Sequence, residues 1–292
     1  MNSPNPTAEC ISNNDASVPS VVYKYLPIKG GISSLRDMTI KFSRVEEFND
    51  PFELMVGGID ENDMVRIAEE AFESYSNESS WKEFCGRFPY LEMDNIRREA
   101  LIFGFPLDFH RFFHIAFAKA RNALIESIPK RANRDMGIAC FSDRFDSILM
   151  WSHYAELHKG IVIGYKTKLL PSMTPVQYSD KRYMVPLYHD KAPGWEKRLS
   201  ATKFSDWSYE HEWRCLVKNE KLQSSSVGDF HVLHHEPRTI DCIYMGIHID
   251  EALRKECECF GKYHPACKLY RATCHPTEFS LLFERLSIQS GD

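Results

Sequence analysis

Gly137–Lys166 reads GIACFSDRFDSILMWSHYAELHKGIVIGYK. GIACFS and KGIVIGYK have the apolar, β-branched content of strands, and SILMWSHYAELH between them has the spacing of a helix. Working outward, VVYKYL from Val21 and TIKFSR read as strands on the N-terminal side, with ISSLRDM as a short helix after Gly30 and Gly31. On the C-terminal side EWRCLVK, FHVLHH, TIDCIYMG, CKLYRAT and SLLFERL read as further strands, and residues 250–262 as a further helix. Strands at irregular spacing, mostly without βαβ alternation, predict an α+β fold with a mixed or antiparallel sheet core. Residues 61–131 differ in character: MVRIAEEAFESYS, SWKEFCGRF and FHRFFHIAFAKARNALIESI are long runs of helix formers, the last with apolar residues three and four apart. The chain is therefore expected to have a flexible tail over 1–19 and one α+β domain over 20–292, with a helical insertion at about 61–131.

The 292 residues carry a formal net charge of −5, which argues against a surface that is a polyanion footprint as a whole. No apolar run reaches the ~18 residues of a membrane helix, and the polar opening lacks the order of a signal peptide. No membrane partner is expected, and the oligomeric state is left open. Nine scattered cysteines in a chain rich in core-forming residues suggest reduced thiols and a cytoplasmic location. Cys257 and Cys259 lie on a predicted helix about 200° apart and cannot both face one ion. His110 and His114 lack the glutamate of a helical zinc motif, and no phosphate-cradling glycine fingerprint occurs. No metal ligands are assigned.

The strongest chemical candidates lie in Trp207–Arg214, WSYEHEWR. As a strand, it would turn Glu210 and Glu212 to one face and His211 and Trp213 to the other. Two carboxylates on one face repel, which raises one pKa and suits acid–base work. The same spacing also fits an exposed Glu210 beside a surface ion pair between Glu212 and Arg214, and the residues alone leave both readings open. On the helix, Trp151 and Tyr154 are three apart and Tyr154 and His158 four apart, an aromatic face that serves packing as readily as binding. His153 has no metal-binding partner at helical spacing. Tyr23 and Tyr25 share one face of the first strand with Lys24 opposite. The Asn49-Asp50-Pro51 turn can present Asn49 and Asp50 as hydrogen-bonding groups.

Taken together, VYKYLPIKGGISSLRDMTIKFSRVEEFNDPFE, GIACFSDRFDSILMWSHYAELHKGIVIGY and WSYEHEWRCL resemble a bacterial family designated domain of unknown function 2971, over about residues 21–285. Its marks are a Tyr-Lys/Arg-Tyr strand, a Phe-Asn-Asp-Pro-Phe loop, a Met-Trp-x-x-Tyr-Ala segment ending in Gly, and a Tyr-x-x-Glu-Trp-Arg strand. The order of three pieces, Tyr23–Tyr25, Trp151–Tyr154 and Glu210–Glu212, is also distantly similar to mono-ADP-ribosyltransferases, including the type that modifies DNA bases. The chain departs from that pattern with Tyr and Lys in the first piece and no Ser-Thr-Ser in the second.

The resemblance implies an ADP-ribosyltransferase-like fold that cleaves NAD, its substrate, and transfers ADP-ribose to a nucleic-acid or protein acceptor, as in a toxin or phage-defence effector. It implies Glu212 beside the ribose and Glu210 acting on the acceptor. Tyr25 with Trp151 or Tyr154 would then face nicotinamide, and Lys24 or Arg214 the pyrophosphate. Tyr23, Asn49, Asp50 and His153 complete the expected cofactor-binding set. Two other readings stay open: a metal-dependent nuclease or hydrolase using Glu210, Glu212, Asp50 and His153, and a non-catalytic binding or sensor module in which these motifs are structural.

Overall fold

The β-branched and aromatic runs assemble into an eight-stranded sheet in the computed structural model, which describes residues 17–87, 97–98, 101–102, 122, 125–186, 194–224 and 231–287. Its strands are β1 (Val21–Leu26), β2 (Met136–Ser142), β3 (Ile161–Lys166), β4 (Met173–Pro175), β5 (Glu212–Lys218), β6 (Ile240–Met245), β7 (Lys268–Cys274) and β8 (Leu281–Leu286). The order across the sheet is β8-β7-β6-β3-β1-β2-β5-β4. All pairs are antiparallel except β6 and β7, which run parallel with Cys242 opposite Lys268. The sheet is thus mixed and the class α+β, as the strand spacing predicts.

Helices α1 (Ile28–Arg36) and α6 (Glu251–Tyr263) complete the apolar layer with the sheet. In α6 the Asp250 carboxylate accepts the Ala252 and Leu253 N–H groups, and Leu253, Cys257 and Phe260 follow at intervals of four and three to form the buried stripe. That phase puts Cys257 inside and Cys259 on the outer surface, so the two do not face one ion. Ile161, Ile163, Ile243 and Leu253 are all fully dry, each contributing about 2–3 kcal/mol by burial.

Helices α2 (Glu61–Ser74) and α3 (Glu78–Arg87) occupy the start of the 61–131 stretch, a helical run covers 125–135, and the short α5 (Trp195–Ser200) lies between β4 and β5. The remainder of that stretch, with His110 and His114, lies largely outside the described residues, as do residues 1–16 of the expected tail.

Two local expectations need correction. The helix after Ser147, α4 (Ile148–Tyr154), stops earlier than its pattern suggests, because Glu156, Leu157 and His158 adopt left-handed φ values of 49°, 55° and 65°. Such residues cost roughly 1–2 kcal/mol each. The cost is offset by tertiary backbone bonds, including His158 N–H to Trp151 O at 3.2 Å and His248 N–H to His158 O at 3.1 Å. The turn delivers Gly160 against β1, where a Cβ would lie 2.0 Å from the Leu26 carbonyl oxygen. His158 consequently lies parallel to Trp151, and the i,i+4 pairing with Tyr154 is lost. Secondly, Glu210 is not in a strand: Ser205–Glu210 is a 3-10 turn, His211 is left-handed at φ 47°, and β5 begins at Glu212.

Candidate functional site

β1 and β2 are neighbours in the sheet but join only at Tyr23 and Ser142, whereas β1 matches β3 at six positions and β2 matches β5 at seven. The sheet is open between its two central strands. Lys24 spans the opening, donating from Nζ to the Cys140 carbonyl at 3.1 Å with its ammonium 5.1 Å from the Phe141 ring centre. Burial lowers the Lys24 pKa. A cleft of about 350 Å³ occupies this region, lined in part by Tyr23, Lys24 and Tyr25 from β1, His153 and Tyr154 from α4, Asn49 from the loop after Glu47, and Glu210 and Glu212.

Beneath it lies a dry ionic cluster. Arg214, with no exposed surface, donates from Nη1 and Nη2 to the two oxygens of Glu53 at 2.9 and 2.6 Å, and from Nε and Nη2 to those of Glu212 at 2.7 and 3.1 Å. Its remaining donor reaches the Ser200 carbonyl at 2.6 Å, so all five N–H groups are used. Lys203 donates to Glu210 at 2.5 Å and Glu212 at 3.1 Å, and lies 3.7 Å from Glu53. The remaining Glu210 oxygen accepts the Tyr154 hydroxyl proton at 2.5 Å, and Asn49 Nδ2 donates to that hydroxyl oxygen at 3.2 Å.

Local backbone geometry brings these groups together. Asp50 accepts the Phe52 N–H at 2.9 Å in an Asx turn, and the buried Leu54 takes a left-handed φ of 53°, which fixes the loop that carries Glu53. The left-handed His211 lets Glu210 and Glu212 approach Lys203 from a turn and a strand. Ser142 Oγ donates to the Glu210 carbonyl at 2.6 Å, and Tyr178 accepts the Glu212 N–H at 2.8 Å.

Three carboxylates against two cations leave one formal negative charge in excess. Burial alone would raise the Glu212 carboxyl, but Arg214 and Lys203 outweigh it and hold it down at about 2. For Glu210 burial prevails: against the pull of Lys203, and with Glu212 pushing the same way, its pKa rises above the usual carboxylate range. Burial, followed by Glu210, raises the Tyr154 phenol and keeps it a donor. Burial disfavours the Lys203 ammonium, but Glu212 and Glu210 outweigh it and raise its pKa. Of Glu210 and Glu212, Glu210 is thus the one whose protonation is more readily changed.

The expected site residues divide into three groups. Tyr23, Lys24, Tyr25, Asn49, His153, Tyr154, Glu210 and Glu212 line the cleft. Trp151 does not: it is fully buried against Tyr25, with its indole N–H donated to the Phe145 carbonyl at 2.8 Å. Asp50 serves its own turn, and Arg214 is enclosed by carboxylates, so neither is presented to a ligand in the cleft. Glu212 does pair with Arg214, but inside the protein, and Glu210 is only 2% exposed, so the surface form of that reading is corrected. His153 contacts the Tyr209 hydroxyl at 3.1 Å. Glu53 and Lys203 are the residues that spacing did not reveal. Glu53 closes the FNDPFE motif, which was the available signal, whereas Lys203 carries none. No protein family, curated protein or solved structure matches this chain.

Proposed function

We propose that the chain is an ADP-ribosyltransferase-like enzyme that cleaves the nicotinamide–ribose bond of NAD, with Glu210 as the carboxylate at the reacting sugar. The observation that carries this reading is the convergence of the three separated pieces on one cleft, at the opening between β1 and β2. Positive charge develops on the ribosyl carbon as that bond breaks, and a fixed carboxylate stabilises it more in the transition state than in the ground state. The ribose-facing role that the resemblance gives Glu212 passes to Glu210, because two cations, Arg214 and Lys203, clamp Glu212, whereas Glu210 is held by one cation, Lys203, and by the neutral Tyr154 hydroxyl, which a sugar hydroxyl can replace. Glu212 and Arg214 then position Lys203, which in turn positions Glu210. Tyr23, half-buried, offers ring surface to nicotinamide and Lys24 a cation to the pyrophosphate, while Tyr25, buried against Trp151, forms the wall behind them. The acceptor is a nucleic acid or a protein.

A metal-dependent reading is disfavoured by chemistry already in place. Lys203 sits among the three carboxylates where a metal ion would bind, and the cluster adds Arg214 to it. A nicotinamide-release assay on the full chain tests the proposal: with an acceptor oxygen or nitrogen, or water in its place, bonding to the ribosyl carbon, NAD should yield free nicotinamide. A well-folded protein that neither binds NAD nor releases nicotinamide would overturn it.

A further inference from the structure

A second cleft, of about 320 Å³, meets the ionic cluster at Glu53 and Lys203 and shares only Lys203 with the cleft described above. Its walls are set by backbone contacts. Gly57 N–H donates to the Tyr183 carbonyl at 2.8 Å, and a Cβ on Gly57 would meet Arg182 at 3.1 Å, so the chain after Phe52 is seated directly on residues 182–184. On the facing turn, Ser179 Oγ donates to the Lys181 carbonyl at 2.9 Å and accepts the Lys181 N–H at 3.0 Å. These contacts hold the Arg182 guanidinium 4.9 Å from the centre of the Phe52 ring.

The contents of this cleft are those of a site for a planar anion. Phe52 and Phe204 line it while remaining 54% and 41% exposed. Of its acidic side chains, Glu53 is neutralised by Arg214, while Asp50 and Asp180 keep their charge and are turned to a backbone N–H of their own loop and to the Ser205 hydroxyl. Among the described residues no ion pair joins Lys181 or Arg182 to a carboxylate, and the Arg182 guanidinium rests on the Phe52 ring. An exposed ring beside a guanidinium suits the face of a base, and two cations at the same mouth suit a phosphate. We propose that this cleft binds a nucleoside monophosphate unit, its base on Phe52 and its phosphate on Lys181 and Arg182, as a free nucleotide or as one residue of a single strand.

This inference stands on its own residues and does not require NAD cleavage. The test is equilibrium titration of the full chain with deoxyadenosine monophosphate and with a single-stranded deoxyadenylate oligomer. Phe52→Ala and Arg182→Ala should each weaken binding roughly tenfold, the size expected for a lost stacking or cationic contact. Ile243→Val, in the apolar layer and lining neither cleft, should bind as the wild type does. Tighter binding of the oligomer would assign the site to single-stranded nucleic acid, and equal binding to the free nucleotide. The proposal is overturned if folded wild-type protein binds neither probe at millimolar concentration, or if both cleft variants bind undiminished. Because Phe52 is largely exposed, its truncation leaves the core intact, and circular dichroism confirms the fold of each variant.

Discussion

The apolar layer under α1 and α6 and the ionic cluster at the head of β5 are equally dry, yet they are held together in different ways. Ile161, Ile163 and Leu253 are fully buried, and each contributes nearly independently of which apolar neighbour touches it. Arg214 is buried to the same degree, but its place depends on Glu53, Glu212 and the Ser200 carbonyl all being present. An apolar layer degrades gradually when a methyl group is lost, whereas a desolvated ionic cluster fails when one partner goes. The cluster therefore fixes geometry more than it adds stability, which suits the base of a reaction cleft.

The sharpest way to break this comparison is Arg214→Met, which leaves Lys203 alone against Glu53, Glu210 and Glu212 in the interior. It should cost about 3–5 kcal/mol in urea unfolding, and adding Glu53→Gln and Glu212→Gln should recover much of that loss. A cost below about 1 kcal/mol would mean that water screens the cluster as it screens a surface pair.

Acid titration reports on the ionic cluster, where two neighbouring glutamates shift in opposite directions. The Glu212 carboxyl sits at about 2 in the folded state against an ordinary 4.5, so its contribution is present above 4.5 and disappears as pH falls toward 2. Glu210, shifted upward, works oppositely: it binds a proton more readily folded than unfolded, so it draws stability away as pH rises from 4.5 through its folded pKa. Measured as unfolding free energy against pH, the Glu212 component should vanish in Glu212→Gln, while Ile243→Val should leave the shape of the curve unchanged.

Smaller effects sharpen the contrast. Tyr154→Phe removes the hydroxyl donor to Glu210 and should lower turnover roughly tenfold, about 1.4 kcal/mol, with little loss of fold. Ile243→Val, in the apolar layer, should cost about 1 kcal/mol of stability and nothing in turnover. Equal turnover in the Tyr154 variant and the wild type would remove the phenol from the working site.

The same contrast explains how much could be read in advance. Apolar, β-branched runs mark the sheet strands, and the spacing of buried residues marks α6, because burial acts residue by residue along the chain. The site's three segments were visible as motifs, and Tyr23, Lys24, Tyr25, His153, Tyr154 and the two glutamates do share a cleft. The ionic partners were not visible, since Glu53 and Arg214 are 161 residues apart and nothing local selects the pairing. Nor does any periodicity foretell the left-handed His211 that ends the turn before β5, or the three left-handed residues after α4. Long-range hydrogen bonds determine both.

The central claim concerns Glu210, and nicotinamide release from NAD by wild-type protein, Glu210→Gln and Ile243→Val side by side tests it most directly. The account predicts release by wild type and Ile243→Val, and a loss of at least about 100-fold in a folded Glu210→Gln. A folded Glu210→Gln that releases nicotinamide as fast as the wild type would contradict it.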